Sequence, residues 1–292
     1  MPALLLILCV FSFSFQSLFT KLYNDHFRGP AGTSEPVFSV TYGIAIALAT
    51  LVTGAFRFSP SPLTVLFGLL NALMLMLYNI SIIRAGDLGS YSFMMIANMF
   101  GGILLPVFIG VLFLGESVSV TGIIAVVMML TAMVLLNSGG PSVKTAKKGY
   151  YLWCAVLFCA NGLYGSFLNV QATLMNGLER TEMLTILFLC SSLFTVAAEA
   201  VKGRLPSVVR GYRMGAKSGF FLALCCVFAA AGANLLLYLF SVMNTDVVCT
   251  VDDGGVLVLS ILYSLVLFKE KPSKLQWLGM AIAVASIVLI NL

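Results

Sequence analysis

Charged residues are scarce in this sequence: Asp, Glu, Lys and Arg make up 9% of its 292 residues, and there is a single histidine. Soluble domains carry about 25% charged residues, so this chain has too little charge to cover a water-facing surface. Apolar residues account for 60% of the chain, and the mean hydropathy is +1.05. The composition therefore excludes a soluble globular domain and intrinsic disorder, and it indicates an integral membrane protein.

Patterns typical of metal sites and enzymes are also missing. The seven cysteines all fall inside apolar stretches, where cysteine behaves as a small buried hydrophobe, and His26 alone cannot complete a zinc site. The chain has no HExxH, GxSxG or GxxxxGK[ST] pattern. We therefore expect no metal, no cofactor and no enzymatic activity. The basic residues lie in a few loops and indicate membrane orientation, not nucleic-acid binding.

Stretches free of Asp, Glu, Lys and Arg are long enough to cross a bilayer, whose core needs about 20 apolar residues. Ten such runs occur, at 1–20, 36–56, 58–83, 88–115, 117–143, 149–178, 183–198, 218–245, 254–268 and 275–292. Residues 1–20 lack a basic region before the apolar run, so we expect a helix there and not a signal peptide. The runs also lack the alternation of barrel strands, which predicts an all-α membrane protein with ten transmembrane helices. A polar connection is expected at about 202–217.

The ninth run is too short as it stands, because residues 254–268 span only about 22 Å as a helix. Its helix is expected to extend back to about Val248, which places Asp252 and Asp253 inside the apolar slab. An ionisable residue inside a span is costly, so the default interpretation is a functional one. The alternative is a solvated helix end.

Rare residue types recur with a shift of 154 residues. The shift places Gly101 on Gly255 and Asn98 on Asp252, and it also places Glu116 on Glu270. Two halves with five helices each would have inverted topology, because five is an odd number. We therefore predict two inverted repeats, at 1–143 and 144–292.

The run PVFIGVLFLGES at 106–117, followed by a Gly/Ala-rich apolar helix, resembles the signature of the EamA type of the drug/metabolite transporter superfamily. A second version, LYSLVLFKEKPS, lies at 262–273, although Ser260 stands opposite Pro106 and Lys269 opposite Gly115. The resemblance covers the whole chain as five plus five helices. It implies a cavity between the halves, next to the third, fourth, eighth and ninth runs, and substrates that range from amino acids and drugs to purines and nucleotide sugars.

Polar side chains on the predicted helices are the candidate contacts for substrate or ions: Gln16, Tyr78, Asn79, Asn98, Asn161, Tyr164, Asn234, Tyr238, Asp252 and Asp253. A central aqueous cavity would explain several polar stripes at once, whereas hydrogen bonding between helices is the alternative. The glycine pairs Gly101–Gly102 and Gly254–Gly255 indicate close helix crossings or a hinge. Glu116 and Glu270 lie in tight turns, where each is expected to cap the next helix.

These features favour a secondary transporter that works by alternating access. Acids at membrane depth favour a cationic, zwitterionic or neutral solute such as an amino acid, an amine or a drug. We expect Asp253 to be the protonatable coupling group and Asp252 a substrate contact. A sugar-phosphate or nucleotide-sugar exchanger, a channel and a membrane scaffold are the alternatives. The expected partners are a small solute and the lipid bilayer of the plasma membrane, which in bacteria is the inner membrane. We expect the protein to be a monomer or a homodimer. The resemblance implies that transport is export.

Basic residues in the loops predict the orientation. Of the sixteen Lys and Arg residues, the loops on one side hold only Arg57 and Arg180, and the positive-inside rule then places both termini away from the cytoplasm. Members of the resembling family are usually drawn with both termini inside. We expect a cysteine introduced within 205–212 to react with a membrane-impermeant reagent from the cytoplasmic side. Labelling only from the outside would contradict this orientation.

Overall fold

The structure, a computed structural model, describes residues 2–88, 91–137, 147–267 and 273–290. Eleven helices and no strands occur in these ranges. They are α1 (Pro2–His26), α2 (Ser34–Thr53), α3 (Pro62–Leu88), α4 (Tyr91–Phe113), α5 (Val120–Asn137), α6 (Tyr150–Leu174), α7 (Arg180–Val201), α8 (Leu205–Gly211), α9 (Ala216–Phe240), α10 (Thr245–Leu267) and α11 (Lys274–Ile290). Every apolar run of the sequence overlaps one of them.

Six helices of the described chain are long and apolar enough to cross a membrane. These segments are Pro2–His26, Ser34–Thr53, Pro62–Ser81, Tyr150–Leu174, Arg180–Val201 and Ala216–Phe240. Shorter apolar helices lie at Ala97–Phe113, Val120–Leu135 and Lys274–Leu289. The prediction of an all-helical, multi-pass membrane protein is therefore confirmed, whereas ten spans and an inverted repeat stay predictions.

Helix α8 lies within the polar connection expected at about 202–217. It has seven residues with Pro206 in its first turn, a position that tolerates proline. Val208 and Gly211 are its buried residues, and Gly211 lies against Val37 of α2. Its apolar pattern is too short to predict a helix from the sequence. The turn that contains Glu270 lies outside the described residues.

The two parts of the chain are interleaved. The most extensive helix contacts are α1–α9, α4–α6, α5–α11, α2–α7, α3–α6 and α3–α7, and each joins a helix before residue 138 to one after residue 149. Sequential neighbours such as α3 and α4 share much less contact. Helices α1–α5 therefore do not form a separate body.

Polar and apolar side chains are distributed as a lipid environment requires. Large apolar residues such as Leu4, Phe108 and Leu112 are exposed on the outside, whereas Asn169 and Gln171 are fully buried. Some of the buried polar side chains form hydrogen bonds between helices. The hydroxyls of Thr50 on α2 and Thr185 on α7, for example, lie 2.7 Å apart. An apolar surface around a partly polar interior is stable in a bilayer and unfavourable in water.

Glycine allows α4 and α6 to cross at backbone contact. A Cβ at Gly162 would lie 2.5 Å from the carbonyl oxygen of Gly101, and a Cβ at Gly101 would overlap the carbonyl oxygen of Phe158. Small residues at such crossings let helices in lipid approach closely enough to gain dispersion energy.

We expect Gly101→Ala to lower the free energy of unfolding by about 1–3 kcal/mol, because the two backbones must separate to admit the methyl group. Gly219→Ala on α9 is the matched control, since a Cβ there meets nothing within 4 Å. The control should be neutral or stabilising by up to about 1 kcal/mol. Unfolding of the purified protein in detergent measures both, and equal stability of the two variants would argue against the crossing.

Candidate functional site

Asp252 and Asp253 lie on different sides of α10, because successive helix residues are rotated by about 100°. Asp252 is 8% exposed and lies next to Cys9 on α1, whose thiol donates to the backbone oxygen of Gly232 at 3.6 Å. Asp253 faces α4 and α6: a Cβ at Gly102 would lie 2.9 Å from Asp253 Oδ2 and 2.8 Å from Asn161 Nδ2. The absence of a side chain at Gly102 thus leaves room for both polar groups.

The side-chain amide of Asn161 on α6 lies near the Asp253 carboxylate, with Gly102 of α4 beside both. Asn161 Nδ2 donates to the backbone oxygen of Asn98 at 2.9 Å. Asn98 Oδ1 and Asp252 Oδ1 are buried without a hydrogen-bond partner, which costs about 1–3 kcal/mol for each such atom. We call Asn98, Asn161, Asp252 and Asp253 the central cluster. In the described residues, no three His, Cys, Asp or Glu side chains come together as a metal site, and the free acceptors of the cluster suit a proton or a cationic group.

Three tyrosines from three helices lie near one another in the bundle. Gln16 Nε2 on α1 donates to the hydroxyl of Tyr42 on α2 at 3.0 Å, and the Tyr42 phenol lies near those of Tyr78 and Tyr164. Tyr164 lies about one turn from Asn161 on α6 and so shares its face. Sequence reasoning missed Tyr42, although its place about one turn after Ser39 continues a polar stripe on α2.

Other candidate residues make contacts elsewhere. Asn79 donates to Ser39 Oγ at 3.2 Å, and Asn234 donates to the carbonyl of Ala230 in its own helix at 2.9 Å. The ring of Tyr238 lies 4.9 Å from the guanidinium carbon of Arg180, at the start of α7. These side chains take part in local packing, and no described contact joins them to the central cluster.

The four glycines of the predicted pairs all lie where helices meet. Gly101 and Gly102 of α4 approach α6 and α10 as described above, and Gly254 and Gly255 of α10 approach α5 and α1. A Cβ at Gly254 would overlap Met129, and one at Gly255 would lie 2.7 Å from Val10. The bundle is therefore tightly packed at the level of the central cluster.

A second polar group, the Glu116 cluster, is formed by Glu116, Asn169 and Thr245. Thr245 donates its hydroxyl to Glu116 Oε1 at 2.7 Å and its backbone N–H to Oε2 at 3.2 Å. Asn169 Nδ2 donates to Thr245 Oγ1 at 2.6 Å and to Glu116 Oε1 at 3.4 Å. Gly110 makes room for the carboxylate, since a Cβ there would lie 2.7 Å from Glu116 Oε2. The cluster joins the α4–α5 turn to α6 and α10.

This geometry corrects the cap expected for Glu116. Glu116 caps the N-terminus of α10 and not that of the next helix, α5, where Ser119 Oγ accepts from the backbone N–H of Gly122 at 2.9 Å. The physical reason is that the α4–α5 turn and the α9–α10 loop meet at the same end of the bundle. A cavity of about 300 Å³ lies beside the cluster, lined by Glu116, Thr173, Asn176, Phe240, Ser241, Val242, Met243 and Asn244.

Glu179 joins two loops at this same end. Its Oε2 accepts from the backbone N–H and the hydroxyl of Ser61, both at 2.9 Å. Burial opposes its ionisation, but hydrogen bonds from Thr64 and Ser61 outweigh that effect and hold the pKa of Glu179 below its ordinary value. Its contribution to stability is therefore present above the ordinary carboxylate pKa and is lost as the pH falls through the lowered value.

Comparison with known proteins supports one family. Residues 151–292 match the EamA-like transporter family, which is part of the drug/metabolite transporter superfamily and is not an enzyme family. One solved crystal structure shares the fold with a TM-score of 0.72 and 15% identity, over 99% of this chain and 97% of that chain. No curated protein matches the chain. The resemblance inferred from the residues is thereby confirmed for residues 151–292.

We expect Glu116→Gln to lower the free energy of unfolding by about 1.5–3 kcal/mol, the usual contribution of hydrogen bonds to a charged group. Glu182→Gln is the control, because the Glu182 carboxylate accepts from the adjacent Thr181 on its own helix. Thermal unfolding in detergent compares the two. If Glu116→Gln unfolds at the wild-type temperature, the Glu116 cluster does not hold the two parts of the chain together.

Proposed function

We propose, from the match of residues 151–292 to the EamA-like transporter family, that the whole chain is a secondary transporter of small solutes that works by alternating access. Its ten spans would be α1–α7 and α9–α11, arranged as two inverted five-helix repeats at 1–143 and 144–292. Helix α8 would lie in a connection. The proposed location is the plasma membrane, and the proposed direction is export or exchange.

The pattern of helix contacts supports the repeat. We pair α1 with α6, α2 with α7, α3 with α9, α4 with α10, and α5 with α11. If the repeat is real, replacing both helices of a contact by their partners should give another contact that occurs. The contact α1–α9 becomes α3–α6, α4–α6 becomes α1–α10, and α2–α9 becomes α3–α7. All six of these contacts occur. The contacts α2–α7, α4–α10 and α5–α11 also occur and convert into themselves. A two-fold relation between halves is the usual architecture of transporters that alternate around a site at the repeat interface.

The central cluster is the proposed substrate site, and the position of Asp253 over Gly102 is the observation that supports it most directly. A carboxylate flanked by the amide of Asn161 offers an ionic partner and hydrogen-bond partners to an ammonium group. Tyr164, Tyr42 and Gln16 extend this polar surface along the neighbouring helices. The substrate class is a small cationic or zwitterionic metabolite such as an amino acid or amine, or a drug of similar charge.

Proton coupling follows from the pair of acids. Two adjacent carboxylates repel each other, and a low-dielectric site disfavours a double charge. Because Asp252 lies next to Cys9 of α1 while Asp253 faces Gly102 of α4 and the amide of Asn161 on α6, Asp253 is the group that a proton and a substrate amine would share. If a proton and a substrate amine compete for one carboxylate, binding of one releases the other, and this competition is sufficient for antiport.

Alternating access requires contacts that break at each end of the protein in turn. The Glu116 cluster is one such set, since its hydrogen bonds join the α4–α5 turn to α10 at the end where the cavity of about 300 Å³ lies. Gly102 and Gly254 would allow α4 and α10 to shift, because neither carries a side chain that fixes the crossing.

We expect Asp253→Asn to reduce gradient-driven uptake into liposomes by about tenfold or more and to flatten its pH profile, because a neutral amide neither binds an ammonium ion strongly nor carries a proton. Asp252→Asn tests the other acid, and Asp25→Asn at the exposed end of α1 is the control that should transport normally. If both α10 variants keep full transport with an unchanged pH profile, the coupling proposal is wrong.

The solute for this assay comes from a thermal-shift screen of amino acids, amines, nucleosides and sugar phosphates, since a ligand that binds the folded state raises the unfolding temperature. Stabilisation by amines or amino acids that disappears in Asp253→Asn supports the proposed site. Stabilisation by sugar phosphates alone would overturn the proposed substrate charge.

A further inference from the structure

A strongly basic segment joins α7 to α9. Between residues 202 and 217 there are five basic residues and no acidic residue. All five are exposed: Lys202, Arg204, Arg210, Arg213 and Lys217. We call these residues, with the exposed apolar side chains among them, the α8 surface. Nothing in the proposed transport cycle uses it.

Much of this positive charge has no acidic partner in the protein. Glu199 pairs with Lys202 Nζ at 2.6 Å and with Arg204 Nε at 3.5 Å. Arg210 instead donates to the backbone oxygen of Pro206 at 3.2 Å and to Ser207 Oγ at 3.4 Å. Among the described residues, no carboxylate pairs with Arg210, Arg213 or Lys217. These three residues keep a net positive charge at the end of the bundle.

Apolar side chains on the same surface are turned outward. Val208 and Gly211 hold α8 against the protein, whereas Val209 is 66% exposed and Tyr212 is 45% exposed. Val201, at the end of α7, is 90% exposed. Thr41 of α2 donates to the hydroxyl of Tyr212 at 3.4 Å, which fixes the ring beside a membrane-spanning helix. Tyrosine beside basic residues is typical of the level where lipid headgroups meet acyl chains.

We propose that the α8 surface binds the phosphate groups of anionic phospholipids in the adjacent leaflet. Basic side chains would pair with the headgroups, while Val209 and Tyr212 lie against the upper acyl chains. A soluble anion would use only the charges and would leave these apolar side chains in water. The surface adjoins the ends of two long apolar helices, α7 and α9, so lipid headgroups are its immediate neighbours. The inference does not depend on the transported solute.

The test titrates the purified full chain in neutral detergent with short-chain phosphatidylglycerol and follows the unfolding temperature. We expect a saturable rise for the wild type and a much smaller one with the matching phosphatidylcholine. Arg210→Gln with Arg213→Gln should raise the half-saturating concentration of phosphatidylglycerol about 25-fold, since each basic residue near an anionic surface contributes about fivefold in affinity. Arg57 is an exposed basic residue in the α2–α3 connection, and the control variant Arg57→Gln should titrate like the wild type. A second control, Arg210→Lys with Arg213→Lys, keeps both charges and should keep most of the affinity.

Unfolding of the glutamine variant in detergent alone, at the wild-type temperature, shows that it folds. Three results would overturn the proposal. One is a glutamine variant that titrates like the wild type, and another is an equal rise with phosphatidylcholine. The third is the same saturable rise with inorganic phosphate alone, which would make the surface a site for soluble anions.

Discussion

The hydrocarbon core of a bilayer offers no hydrogen-bond partner, and this constraint determines most of the structure. Backbone groups are satisfied within helices, so the described chain contains helices and no strands. Polar side chains must find partners across helices. Three carboxylates show this: Glu116 accepts from Thr245 and Asn169, Asp252 lies next to Cys9, and Asp253 lies beside Asn161. Each of these neighbours belongs to a helix other than the element that carries the acid, so the polar contacts also determine which helices are neighbours.

Helices α4 and α10 take part in both polar clusters. Gly102 makes room for Asp253 in the middle of α4, and Gly110 makes room for Glu116 two turns later. Thr245 begins α10, and Asp253 follows about two turns into the same helix. The pair of helices is therefore joined by polar groups at two levels. A displacement of α10 relative to α4 alters the Glu116 cluster and the central cluster at the same time, so the two clusters are physically linked.

The sequence predicts the helices well because each helix that crosses a bilayer needs about 20 mostly apolar residues. It also places Asp252 and Asp253 inside α10, because a helix of residues 254–268 alone would be too short to cross the bilayer. Partners distant along the chain were not predictable. Glu116 and Thr245 lie 129 positions apart, and local patterns contain no information on which loop meets which. Tyr42 was missed for the same reason, since its role depends on Gln16, Tyr78 and Tyr164 from other helices. Helix α8 was not predicted because seven residues are too few to show a helical period of apolar side chains.

Interleaving of the two parts of the chain has a consequence for synthesis. Domains usually fold as units while the ribosome is still working, but here α1 packs on α9, α2 on α7, α3 on α6 and α5 on α11. When α1–α5 have entered the membrane, Thr50 and Glu116 still lack their partners Thr185 of α7 and Thr245 of α10, which the ribosome has not yet made. Helices α1–α5 then remain in lipid with polar groups unpaired until the later helices are inserted. A chain truncated after α5 would expose those groups to the quality-control proteases of the membrane.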